Sequence, residues 1–253
     1  MAVAEEVAEV AASQPADFAA VNAELDERTG FLLGLRDTTF FDPEPESTLD
    51  RDDAALAPLS ASAIARSTFL AAAECLAPDA GLAASFALLR GALESAAVTI
   101  WLLESDDPAV RATRLLSEAW GDIRDSDRLA IALNSAPDSR GDHERDWKAA
   151  HAAAFGDEDP SARQLPTSMA AKIDAAATVV ADFTQVPGAA AVVRGSWQAF
   201  GALARGRTDV FDLADGTAEM TAGSRSLVLD VLETAASLYR VRAVGPAAPE
   251  TAG

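Results

Sequence analysis

"LLRGALESAAVTIWLLE", residues 88–104, is the most apolar long stretch of the chain, and its reading decides the fold. A helix advances by about 100° per residue. On that wheel, residues 82–104 place Leu82, Phe86, Leu89, Leu93, Ala97 and Ile100 on one face, while Val98 and Leu102 lie opposite. A helix that is apolar on every side belongs at the centre of a bundle. Arg90, Glu94 and Trp101 fall along one strip beside the main face. Arg90 and Glu94 stand at i and i+4, the spacing at which helix side chains meet. An unpaired buried charge is very costly, so partnership is the first expectation for them. A polar pocket with Glu94 as acid or base is the second. Partial exposure with little consequence is the third.

The rest of the chain supports an all-α reading. Hydrophobic residues make up 49% of its 253 positions but aromatics only 6%. Ala dominates the apolar fraction, and Ala favours helices over strands. No clear period-2 run appears. The junction "ESDDP", residues 104–108, offers Asp106 or Asp107 as a cap and Pro108 in a first turn. An amphipathic helix over 109–133 follows, then a loop, then a short helix with Trp147 and Phe155. A helix capped by Thr167 or Ser168 is expected through Met169, Ile173, Val180 and Phe183, with Pro187 and Gly188 breaking it, then another to about Ala204 and a last over about 217–242; Pro58 is read as opening the helix before Cys75. The stretch "DTTFFDPEPESTLDRDD", residues 37–53, reads as loop, with Phe40 and Phe41 pinning it to the core. The stretch 134–166 reads as a lid or protruding hairpin.

These elements make a single multi-helix bundle of about seven helices around 82–104. Residues 1–57 form an acidic N-terminal segment with one helix and a loop, 58–243 the bundle core, and 244–253 a disordered tail. Residues 1–53 carry 14 acidic and 3 basic side chains, over half of the net charge of −20.

That charge argues against broad nucleic-acid binding, which draws on clustered Lys and Arg, and against anionic membranes. One cysteine, Cys75, excludes an intrachain disulfide and a thiolate zinc cluster. It lies on an apolar helix and reads as a small core residue. The N-terminus has no basic region of the signal-peptide kind. A cytoplasmic protein is the expectation. Basic residues are nearly all Arg, Lys148 and Lys172 excepted, as in GC-rich or salt-adapted genomes.

"RGALESAAVTIWLLE" followed by "DDPAVRATRLLSEAW" resembles a pattern in uncharacterised all-helical proteins of actinobacteria. There an Arg-x-x-x-Glu helix ends in Trp-Leu-Leu and an Arg-x-x-Arg helix follows. Arg90, Glu94, Trp101, Arg111 and Arg114 match it, and in "VVRGSWQAFGALARGR" Ser196 and Gly206 match a later helix. Arg205 stands where that family has a His. The group is distantly similar to HEPN-like bundles, some of them abortive-infection or toxin RNases. The resemblance implies an interaction or defence role. With the family His missing, the RNase motif has one other match: Arg145 and His151 in "RDWKAAH".

Other chemistry finds little support. His143 and His151 are more than two turns apart, so they cannot chelate as an i, i+4 pair, and no metal or cofactor is expected. Arg111, Arg114, Arg124 and Arg128 interleave with Glu118, Asp122, Asp125 and Asp127 and read as a salt-bridged surface. Trp120 reads as core or interface. The leading expectation is a non-catalytic bundle that binds a protein partner or a second copy of itself. The alternatives are an RNase using Arg145 and His151, and a small-molecule binder with a pocket around Glu94 and Trp101.

Overall fold

The computed structural model describes residues 20–76, 82–133, 140–159, 167–205 and 217–244. Residues 1–19 of the acidic segment, the tail beyond 244, residues 134–139 and 160–166 of the expected lid or hairpin, and Gly206 lie outside them. Among the described residues there are nine α-helices and no strand. They are α1 (20–34), α2 (Thr48–Leu56), α3 (Ala61–Glu74), α4 (Leu82–Leu103), α5 (Pro108–Ala132), α6 (Arg140–Phe155), α7 (Met169–Thr184), α8 (Ala189–Ala204) and α9 (Thr217–Ala243).

Helix α4 is the centre. It packs against α3, α5, α7, α8 and α9. Phe86, Leu93, Ala97 and Ile100 on one side and Val98 and Leu102 on the other are all buried. Each large side chain among them contributes about 1.5–3 kcal/mol of apolar burial. The window Ala84–Leu103 has a mean hydropathy of 1.5, enough by length and composition to cross a membrane, but 67% of it is buried inside the bundle. Its apolarity is accounted for by neighbouring helices.

The end of α4 is held by cations. A helix C-terminus presents carbonyls without intrahelical partners and a partial negative charge. Arg242 of α9 donates from Nε to Leu103 O and from Nη2 to Glu104 O and Ser105 O. Arg111 donates from Nη1 to Ser105 O and Asp106 O. Asp107 then caps α5, accepting from Ala109 N at 2.8 Å, with Pro108 in the first turn. The junction at 104–108 thus forms as its sequence indicates.

The acidic stretch 37–53 departs from its reading as loop. Ser47 caps a helix, accepting from Asp50 N at 3.2 Å, and α2 runs from Thr48 to Leu56. Its acidic composition hides an inward face of Leu49, Asp52 and Leu56, all buried. Leu25 and Leu32 of α1 and Phe41 join the same core as α4, so residues 20–57 contribute two helices to the bundle. Phe41 is pinned as expected: Tyr239 of α9 donates its hydroxyl to Phe41 O at 2.9 Å, with the two rings 5.0 Å apart. Burial pushes the Tyr239 phenol well above its ordinary range. Pro58 does not open α3, which starts at Ala61 behind the Ser60 cap.

Helices α5 and α6 pair as a hairpin, joined at its base by the Trp147 indole, which donates to Leu116 O at 2.8 Å. Trp120 is half-buried, 4.8 Å from the Trp147 ring. Beyond Ile123 the last residues of α5 are largely exposed.

Candidate functional site

Three groups of charged residues stand on or around α4. The first lies where α8 crosses it. Arg90 Nε donates to Glu94 Oε1 at 2.8 Å, and the two side chains are 30% and 25% exposed. The same carboxylate oxygen accepts the Trp197 indole N–H at 2.8 Å. The Arg90 guanidinium lies 5.5 Å from the Trp197 ring centroid, within cation–π range. One turn further along α8, a Cβ added to Gly201 would sit 2.3 Å from Arg90 Nη1. Glycine there gives the guanidinium its seat against the α8 backbone. The i, i+4 pair is therefore real, and it is one corner of a larger lock. Trp197 and Gly201 complete that lock, and neither is legible as a partner from residue 94. Ser196 is half-buried on α8, and Arg205 ends that helix exposed.

The second group surrounds Trp101, which is 5% exposed. The Arg114 guanidinium is 5.1 Å and the Lys172 ammonium 4.8 Å from its ring centroid. Arg114 pairs with Glu104 at 2.7 Å, and Lys172 with Glu118. Trp101 thus joins α4 to α5 and α7 through two cations, each with its own carboxylate. Further along α5, the Asp122 carboxyl is pushed above its usual range. Lost hydration comes first among the causes, then repulsion from Glu118 and Asp125, with Lys172 opposing. Much of Asp122 stays open to solvent, so the surrounding protein removes only part of its hydration. Glu94 is bound to Trp197, and the face of Trp101 is covered by Arg114 and Lys172.

The third group is the most buried. Arg111 of α5 and Asp52 of α2 form a two-pronged ion pair, Nε to Oδ2 at 2.7 Å and Nη2 to Oδ1 at 2.9 Å, with side chains 4% and 7% exposed. The surface reading of Arg111 is corrected here: it points inward on α5, and only the Asp52 carboxylate makes that tolerable. Arg128 and Asp125, 73% and 72% exposed, do form the expected surface pair.

Arg145 and His151 do not come together as a catalytic pair. Six residues on a helix turn the second side chain well away from the first. Arg145 is 70% exposed and paired with Asp142 at 2.9 Å. His151 is 4% exposed, with its ring 5.5 Å from Trp147 and 5.4 Å from Phe155. Its Nε2 is buried with no hydrogen-bond partner among the described residues.

Among the described residues, no three His, Cys, Asp or Glu side chains are grouped to hold a metal ion. Cys75 packs on the core at the end of α3, and partial burial raises its thiol pKa, away from thiolate reactivity. Comparison with protein-family models, curated proteins and solved structures finds no match.

Proposed function

We propose that the protein acts by association and not by catalysis, and that the end of α5 is where it associates, with a second copy of itself. The observation that carries this reading is a cluster of exposed large apolar side chains: Leu129 at 60%, Ile131 at 76% and Leu133 at 68%. Scattered single exposures are ordinary, but here three fall within five residues at one helix end, with Ile131 on the side away from the other two. Leu129 and Leu133 are one turn apart and share a strip that a second helix can cover.

Charge points to the occupant. The whole chain carries −20, so two copies repel over most of their surfaces. The end of α5 is an exception: Arg124, Asp125, Asp127 and Arg128 sum to zero. Two such ends meeting about a two-fold axis bring apolar strips together and set Arg opposite Asp. A stable interface buries about 800 Å² on each partner, more than three side chains supply. The flanking charged residues must therefore join it.

The test is mass by light scattering over a concentration series, on the wild type and on Leu129→Glu/Leu133→Glu. A concentration-dependent rise toward twice the chain mass, abolished in the variant, supports the reading. A wild type that stays at one chain mass at several hundred micromolar removes it.

A further inference from the structure

A cleft of about 430 Å³ opens where the ends of α2, α5 and α9 meet. That volume lies in the range of small-molecule sites. Three guanidinium groups line it, those of Arg51, Arg111 and Arg242, together with two carboxylates, Asp52 and Asp106. The local balance is +1 in a chain of −20.

The three arginines are not equivalent. Arg111 is spent on Asp52 and two carbonyls. Arg242 is fixed by three carbonyls at the end of α4, and its remaining anionic contact is Asp106 Oδ1 at 2.6 Å. Its Nη1 donates to nothing among the described residues. Arg51 is exposed, with one long contact from Nε to Ser47 O at 3.4 Å, and both its Nη groups are uncommitted among the described residues. The Asp106 side chain is 94% exposed, and among the described residues its carboxylate is bound to the cleft only through Arg242. It can swing into water at little structural cost. Once it does, Arg51 and Arg242 present two unneutralised charges and several N–H donors.

We infer that this cleft binds a phosphate dianion, free or as the head of a small phosphomonoester, clamped between Arg51 and Arg242 in place of the Asp106 carboxylate. The dianion matches the two charges present once Asp106 is released, that of Arg51, which is free throughout, and that of Arg242, which the release uncovers; a monocarboxylate leaves one unmatched. The cleft is larger than a phosphate ion. Ala55 and Pro108 offer an apolar wall to an organic body. Asp106 acts as an internal stand-in that occupies Arg242 when no ligand is present.

The experiment is calorimetric titration of the full chain with inorganic phosphate and with glycerol 3-phosphate at pH 7.5, at ionic strength matched by KCl, with acetate as control. Arg51→Gln is expected to weaken phosphate about tenfold, the loss of a charge-assisted contact. Asp106→Asn is expected to strengthen it about fivefold or more, since a competing like charge is removed. Both positions are exposed, so both variants should fold, and unchanged circular dichroism checks this. Tighter binding of glycerol 3-phosphate assigns the site to organic esters, and equal binding assigns it to the free ion. No phosphate binding beyond the acetate control, unchanged affinity in Arg51→Gln, or weaker affinity in Asp106→Asn each overturns the inference.

Discussion

Asp52→Ala tests the packing account most severely. The carboxylate accepts two hydrogen bonds from Arg111, at 2.7 and 2.9 Å, across the α2–α5 contact. Hydrogen bonds to charged groups contribute about 1.5–3 kcal/mol each. Removing the carboxylate also leaves a guanidinium that is 4% exposed without its counter-charge. Breaking one partner of such a pair typically costs about 3–5 kcal/mol. Arg111 retains its bonds to Ser105 O and Asp106 O, which holds the expected loss near the lower end, about 3 kcal/mol. That is a large share of the stability of an ordinary domain, so the midpoint in urea should fall markedly with little change in slope. The assay is urea unfolding followed by helical circular dichroism. The double variant Asp52→Leu/Arg111→Met should recover much of the loss, because apolar pairs of similar volume often replace buried ion pairs without penalty. A loss below about 1 kcal/mol in Asp52→Ala, or a double variant as unstable as the single one, refutes the reasoning.

Other outcomes follow from the same structure. Gly201→Ala should be close to neutral in the wild type, since dislodging Arg90 offsets the roughly 1 kcal/mol gain of Ala over Gly in a helix; in an Arg90→Ala background the full gain should appear in thermal unfolding. Trp197→Phe removes a donor to the partly exposed Glu94 carboxylate and should cost about 1 kcal/mol by the same assay. Ser47→Ala removes the α2 cap and should also cost about 1 kcal/mol, with α2 amides losing hydrogen-exchange protection first. Asp122 has a raised pKa, so its ionised form opposes folding. Asp122→Asn should therefore stabilise the protein at pH 7, by less than about 1 kcal/mol at so open a site, and the gain should vanish as pH falls through the raised carboxyl titration.

How far the fold could be read in advance depended on how local its causes are. The place of α4 was legible because the segment is apolar on every side, a property of one helix alone. The Arg90–Glu94 pair was legible because i and i+4 positions meet on any helix. Trp197 was not, since it reaches Glu94 from 103 positions away and only the crossing of α8 over α4 brings it there. Helix α2 was hidden for a related reason. Its acidic composition reads as solvent-facing loop, and Asp52 becomes a core residue only because Arg111, 59 positions later, neutralises it. The Arg145–His151 spacing misled in the opposite direction. A permitted interval in sequence says nothing of whether two side chains face one space, and on α6 they do not. The phosphate cleft draws on three separate elements, so no single stretch carries its signal.

The association proposed for the end of α5 is tested most directly by hydrogen exchange of the amides at 124–133 as protein concentration is raised. The account expects protection of these amides to increase with concentration, while α4 amides, already buried, stay unchanged. Exchange at 124–133 that is the same at 1 μM and at several hundred micromolar would contradict it.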